Sequence, residues 1–225
     1  MHGTRYGEAN PERVVNTLWE HAIRNKWTAW RTRQHLNLQT DTGGSAPDPS
    51  HSTYRNSTPG PFWSWERLGR TSTLLDDGRI IHVGGEHEDF YDPNFCIYND
   101  VVVERPDDLF ELYLYPLSVF PPTDFHSATL VEDAIILIGS LGYKDMRQVG
   151  TTQVLRLDIR TFGIERLDIK GDGPGWISRH SAQLRSDSVI VLRGGRVLTK
   201  QGRIEPNSSV FHLDMKQLVW SQPIE

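Results

Sequence analysis

The densest set of potential ligands in this chain is His82, Glu86, His87, Glu88, Asp89 and Asp92, two imidazoles and four carboxylates in one short stretch. Side chains of this kind can hold a divalent cation. Yet His82 and His87 stand five apart, which matches neither a helical i,i+4 face nor another recognised ligand spacing, so the stretch reads as a polar loop and no metal is assigned. His126 and His180 are each followed by Ser-Ala, which places imidazoles beside Ser127 and Ser181. A nucleophilic serine would also need a group orienting its histidine and donors for the oxyanion, and no sequence of either kind accompanies them. The recurrence of the two histidines at matching places points instead to structure, with each imidazole bonding a backbone carbonyl of a neighbouring unit. No residue is assigned a catalytic role, and no cofactor is expected.

A repeat positions these residues. Ile80-Ile81-His82-Val83-Gly84-Gly85 returns as Ile135-Ile136-Leu137-Ile138-Gly139-Ser140 and as Ile190-Val191-Leu192-Arg193-Gly194-Gly195, so that Gly84, Gly139 and Gly194 are spaced by 55 residues. Upstream of each run lies a first strand that leads to a leucine, at Leu74, Leu130 and Leu184, and then an acidic turn at Asp77, Glu132 and Asp187. Downstream come a third strand, Asp100 to Glu104, Val154 to Asp158 or Val210 to Asp214, and a fourth around Phe110, Ile164 or Trp220. The β-branched second strands suit burial on both faces. One small sheet cannot bury its faces without neighbours, so four strands per unit imply stacked antiparallel sheets. The glycines read as sites of unusual backbone conformation or close approach, since none precedes a helical pattern or a Gly-Lys-Ser/Thr sequence.

Those residues resemble the kelch repeat, in which an apolar strand and a double glycine are followed by a later aromatic. The resemblance covers roughly residues 63 to 225, with the double glycine intact at Gly84-Gly85 and Gly194-Gly195, replaced by Gly139-Ser140 in the middle copy, and the aromatic clear at Trp220. It implies a mostly β fold, a partial or short kelch-type β-propeller of four-stranded antiparallel blades, with units at about 66–115, 123–168 and 176–225. Cys96 near Tyr91 and Tyr98 is similar to the tyrosine-cysteine crosslink of copper oxidases that share the kelch fold. A copper site also draws ligands from several blades, so a buried thiol is expected here. Three blades do not close a ring, and Phe62-Trp63-Ser64-Trp65-Glu66 looks like the terminal strand of a preceding blade. The reading is therefore three complete sheets and one lone strand, with open ends covered by an N-terminal helix or by a second subunit in a homodimer.

Residues 1–38 are read as a helical segment and 39–61, rich in Ser, Thr, Pro, Gly, Asp and Asn, as a flexible linker to a β domain over 62–225. Asn10 would cap the helix and Pro11 would open it. Its apolar stripe would run through Val15, Leu18, Trp19, Ala22, Ile23, Trp27 and Trp30. This stripe docks on the repeat domain or, as the alternative, meets a partner or a membrane surface.

A net charge of −5 over 225 residues argues against nucleic acid as partner, since such proteins usually show a basic stripe. The single cysteine excludes an intrachain disulfide, no run of 18 apolar residues occurs, and neither membrane contact nor secretion is expected, so the compartment reads as cytoplasmic. The leading function is a protein-interaction module presenting unlike loops, Glu86 to Ile97, Gly142 to Gly150 and Val197 to Asn207, to a protein partner. A bacterial immunity or inhibitor protein for a cognate partner is one form of this. The binding residues assigned are Glu86, His87, Glu88, Asp89, Tyr143, Lys144, Arg147, Trp176, Arg196, Lys200 and Arg203. Trp176, in a Gly-Asp-Gly-Pro-Gly turn, is either an exposed binding aromatic or a wedge in the core. The alternatives are an enzyme acting on a sugar or other small polar molecule through His82, His87, His126 and His180, and a structural or assembly protein.

Overall fold

A computed structural model describes residues 6–28, 31, 32, 34, 35, 63–87 and 95–223. The elements in order are β1 (Glu12–Val14), α1 (Thr17–Arg24), β2 (Thr71–Leu74), β3 (Ile80–Val83), β4 (Asp100–Glu104), β5 (Phe110–Leu114), β6 (Ser127–Val131), β7 (Ala134–Ile138), β8 (Val154–Asp158) and β9 (Ile164–Arg166). There follow β10 (Ile177–Ser178), β11 (Ser181–Ser186), β12 (Val189–Arg193), β13 (Arg196–Leu198), β14 (Ile204–Pro206), β15 (Phe211–Asp214) and β16 (Val219–Ser221). Among the described residues these form four antiparallel sheets, three of which contain the repeated meander: β2-β3-β4-β5, β6-β7-β8-β9 and β11-β12-β15-β16.

Each meander follows from its strand pattern. The five residues of β7 are all buried because this strand lies between two apolar layers. One layer, with Ile81, Val83, Val101, Val103, Ile135, Leu137, Leu155 and Leu157, joins the first sheet to the second. The other, with Ile136, Ile138, Val154, Ile190, Leu192, Leu213 and Trp220, joins the second to the third. Every fully buried isoleucine or leucine in these layers contributes about 1.5–3 kcal/mol. The first strands β2, β6 and β11 neighbour one another along one side of the stack.

The recurring glycine has a physical cause that the packing makes visible. A Cβ on Gly84 would collide with the carbonyl of Thr123, and one on Gly139 with the carbonyl of Ile177, so the backbone of the next unit closes on each glycine. Gly194 has the same left-handed φ, +63°, but nothing within 4 Å of the added carbon.

The N-terminal segment departs from the expected helix. Asn10 does not cap one, and the Asn10-Pro11 peptide is cis. The Asn10 side chain instead donates to the carbonyl of Ile164 at 2.8 Å and accepts from its N–H at 2.9 Å. Residues 12–14 pair with β5 and cover an otherwise free sheet edge. The helix begins at Thr17, where the Asn16 side chain accepts from the N–H groups of Leu18 and Trp19. Val15 is therefore outside the stripe and 79% exposed. Ala22 and Ile23 are buried with Trp63, Trp65, Val102 and Leu112, so the helix does cover the outer face of the first sheet. Trp30 and the segment 39–61 lie outside the described residues.

Trp63 to Glu66 forms no strand. Side chains hold it instead: Trp63 Nε1 donates to Asp100 at 3.0 Å, and Arg67 makes a bidentate, buried ion pair with the same carboxylate. The Arg67 guanidinium lies over the rings of Trp63 and Tyr98 at 4.9 and 3.5 Å. Phe62 lies outside the described residues. The expected loop Val197 to Asn207 is likewise a hairpin, β13-β14, whose first strand pairs with β10 to make the fourth sheet.

Candidate functional site

Just before each first strand stands a residue in the left-handed region, Gly69 at φ +64°, Phe125 at +48° and Arg179 at +58°. The three occupy equivalent places and form a ladder: Phe125 N–H donates to the Gly69 carbonyl and Arg179 N–H to the Phe125 carbonyl, both at 2.8 Å. Glycine is required at 69, because a Cβ there would lie 2.5 Å from Phe125 N and 2.8 Å from its ring. At the other two positions a side chain is tolerated at a cost of about 1–3 kcal/mol of backbone strain. Those side chains stack, with the exposed Arg179 guanidinium 3.3 Å from the centroid of the Phe125 ring.

Beneath this row lies a pair of carboxyl groups. Asp124 is fully buried and accepts from Gly142 N–H at 2.7 Å and from the Ser140 hydroxyl at 3.2 Å through one oxygen. No donor among the described residues reaches its other oxygen. The Glu86 carboxyl is its neighbour, and a hydrogen bond between the two exists only when one holds a proton. Burial, and then Asp124, push Glu86 up to about 7, while the Arg179 charge acts against the shift. Burial also raises Asp124, opposed by the bonds from Gly142 and Ser140. The two therefore share one proton near neutral pH. Glu86 is held in place by its backbone, which exchanges two hydrogen bonds with Leu68 at 2.8 and 3.0 Å.

The histidines divide between two places. His126 Nε2 meets the Thr71 hydroxyl at 2.8 Å, and His180 Nε2 meets the Ser127 hydroxyl at 2.9 Å, one unit back in each case. The expected partner, a backbone carbonyl, is replaced by a hydroxyl because neighbouring first strands face each other through their side chains. Burial lowers His126 to about 3 and His180 to about 4, so both are neutral. Neither Nδ1 finds a hydrogen-bond partner among the described residues, and so no carboxylate orients either ring. His82 lies on the outer face of the first sheet, between Ser72 at 2.8 Å and Glu104 at 3.2 Å, away from Glu86 and His87. Among the described residues no three His, Cys, Asp or Glu gather as a metal site.

The residues expected to bind fall into two groups. Lys144, Arg196, Lys200 and Arg203 are exposed. His87 and Trp176 are buried, which removes both from the surface; Trp176 is the wedge, its Nε1 donating to the Leu141 carbonyl at 3.1 Å under Gly142. Arg147 donates to the carbonyls of Leu141 and Gly142, and the Tyr143 hydroxyl accepts from Ile97 N–H at 2.8 Å, so these two side chains shape the loop itself. Glu88 and Asp89 lie outside the described residues. Cys96 is buried. Asp124, Phe125 and Arg179 went unrecognised in the sequence; for Phe125 and Arg179 the signal was their shared place two residues before the first strand of their units.

No protein-family model and no curated protein sequence matches the chain. It is similar to the solved structure of YjhT, at 16% identity and a TM-score of 0.50, over 70% of this chain and 52% of that one. This likeness concerns the fold alone, and the chain spans about half the length of that protein. Among the described residues no helix is long and apolar enough to cross a membrane.

Proposed function

We propose that the three sheets are blades of a short kelch-type propeller and that the chain is a protein-interaction module, with its contact surface on the rim where the glycines end the second strands. The observation that carries this reading is the ladder Gly69, Phe125, Arg179. It fixes two unlike side chains, Phe125 and Arg179, in one row with Gly69 on hydrogen-bonded backbone, and both keep a strained conformation that glycine would relieve. Lys144 adds an exposed charge from the neighbouring loop. Rigid scaffolds that present loops in this way suit recognition of a protein surface.

The sugar-converting alternative has less support, because His126 and His180 are neutral, buried and engaged between units. The test is affinity capture from the host lysate with the full chain, beside the variants Arg179→Gly and Lys144→Glu. A specific protein retained by the parent and lost by both variants is the expected result. Equal retention by all three overturns the rim as the contact surface.

A further inference from the structure

The third unit carries its charge differently from the rest of the molecule. Residues 176–223 hold seven lysines and arginines against three acids, in a chain whose net charge is −5. All seven cations are exposed. Every ion pair found among the described residues lies between Arg13 and Glu165, so none of the seven is neutralised at contact distance within the fold.

The strand register shows where these charges lie. Ile190 and Leu192 point into the layer shared with the second sheet, which leaves Val189, Val191 and Arg193 on the other side of the strand, where Val191 is buried, Val189 half-buried and Arg193 exposed. Gln183, Val191, His212 and Ser221 form one cross-strand row there, Val189, Asp214 and Val219 another, and Arg193 stands opposite Ser181. Val83 and Ile138 hold the place of Arg193 in the first two units, and both are fully buried against the next sheet. An arginine in that place cannot dock a further sheet of the same kind without burying its charge. The β13-β14 hairpin, which follows Arg193 after two glycines, carries three more exposed cations, Arg196, Lys200 and Arg203. The whole is a small valine centre, partly open at Val189 and Val219, bordered by cations.

We infer that the outer face of the third sheet and the β13-β14 hairpin dock an acidic segment of a partner protein, one that alternates carboxylates with apolar side chains. Charge complementarity selects this occupant, and the valines give it something to bury. A nucleic acid is disfavoured because Asp214 and Glu205 lie within the surface, and His212 is the single ring in its two cross-strand rows, beside aliphatic and acidic side chains. This inference rests on the protein-interaction reading and deepens it by naming a second surface and the chemistry of its partner.

The test uses a fluorescently labelled peptide of alternating Glu and Val, the matching Lys and Val peptide, and a labelled oligothymidylate, each titrated by anisotropy into the full chain. The variant is Arg193→Glu with Lys200→Glu, both exposed side chains without a hydrogen bond among the described residues, and Lys200→Glu alone serves as a second variant at the hairpin tip. The expected result is binding of the acidic peptide alone, weakened by added salt, at least about tenfold weaker in the double variant and intermediate in the single one. Acidic-peptide binding unchanged by both variants, or equal or tighter binding of either control, overturns the inference. If the double variant still captures the lysate partner and the parent ignores the acidic peptide, this surface fails while the rim reading stands. If neither the parent nor any variant captures a protein, the interaction reading itself fails.

Discussion

Glu86 and Asp124 meet carboxyl to carboxyl at the junction of the first two units, with Asp124 completely buried and Glu86 partly exposed. Two such groups cannot both be ionised without a large cost, and the proton they share makes the junction sensitive to pH near neutrality. The pair also ties the rim to the interior, since Gly142 and Ser140 of the adjoining loop bond the same carboxylate.

The folded chain holds this proton more tightly than the unfolded chain, so the contribution of Glu86 is complete below its ordinary pKa and is lost as pH rises through about 7. Glu86→Gln keeps a donor toward Asp124 and removes the titration. The variant is expected to be more stable than the parent at pH 8 by about 1 kcal/mol, a figure discounted for the partial exposure of Glu86. The gain should vanish toward pH 4.5. Urea unfolding of both proteins across this range measures it, and a difference independent of pH rejects the shared proton.

His126 and His180 act in the opposite sense. Their folded pKa values lie below the ordinary one, so the stability they confer is present above about 6.5 and is lost as pH falls toward 3 or 4. The parent is therefore expected to unfold on the acid side, with losses on the order of several kcal/mol. Replacing His180 by Gln, whose amide can donate to or accept from the Ser127 hydroxyl, should flatten that limb. Urea midpoints at pH 7 and pH 4.5 provide the comparison, and an unchanged slope would remove His180 as the cause.

The recurring glycines separate two effects that the sequence presents as one. All three positions have a left-handed φ, but the next unit closes on Gly84 and Gly139 and on nothing at Gly194. An alanine at 194 should cost about 1 kcal/mol for conformation alone. At 84 or 139 the clash with a backbone carbonyl adds to it, for a total of about 3 kcal/mol or more. Denaturant midpoints of the three single variants decide the matter, and equal losses would show that the close approach is not what these glycines serve.

Much of the scaffold was legible because an interval of 55 residues between the second-strand glycines aligned the strands of the three meanders to within about a residue. Asp100–Glu104 and Val154–Asp158 were located to the residue from their place after the glycines and their closing acid, whereas the third such strand begins at Phe211 and not at Val210. The N-terminal start was misread because Asn10 and Pro11 carry a helix-opening signature, whereas the free edge of β5 captured residues 12–14 as a strand. Trp63 to Glu66 looked like a strand because Trp65 leads into the next first strand as a blade-ending aromatic would, and only the folded chain shows Trp63 held by Asp100 and Arg67 and Trp65 under Arg70. The hairpin over 196–206 was hidden by its polarity. The rim row was missed because glycine, phenylalanine and arginine share no chemistry; what they share is a backbone conformation, which no residue type announces at positions 125 and 179.

The Arg67 and Asp100 pair is where the N-terminal cover is fastened, and its removal should release more than one ion pair. Both side chains are almost wholly inaccessible, and the carboxylate also accepts from Trp63 Nε1. Asp100→Asn would leave the Arg67 charge buried without a counterion and weaken the hold on Trp63, for a loss of about 3–5 kcal/mol. Arg67→Met, which fills similar volume, would instead strand the Asp100 charge and remove the cation over the rings of Trp63 and Tyr98. If the cover is fastened at this point, both variants should expose the residues around Trp63 and α1 to protease before the sheets unfold, with a red shift in tryptophan emission. Amide exchange in the layer between the second and third sheets should stay slow. Uniform loss of protection through that layer would mean that the cover and the stack unfold as one unit.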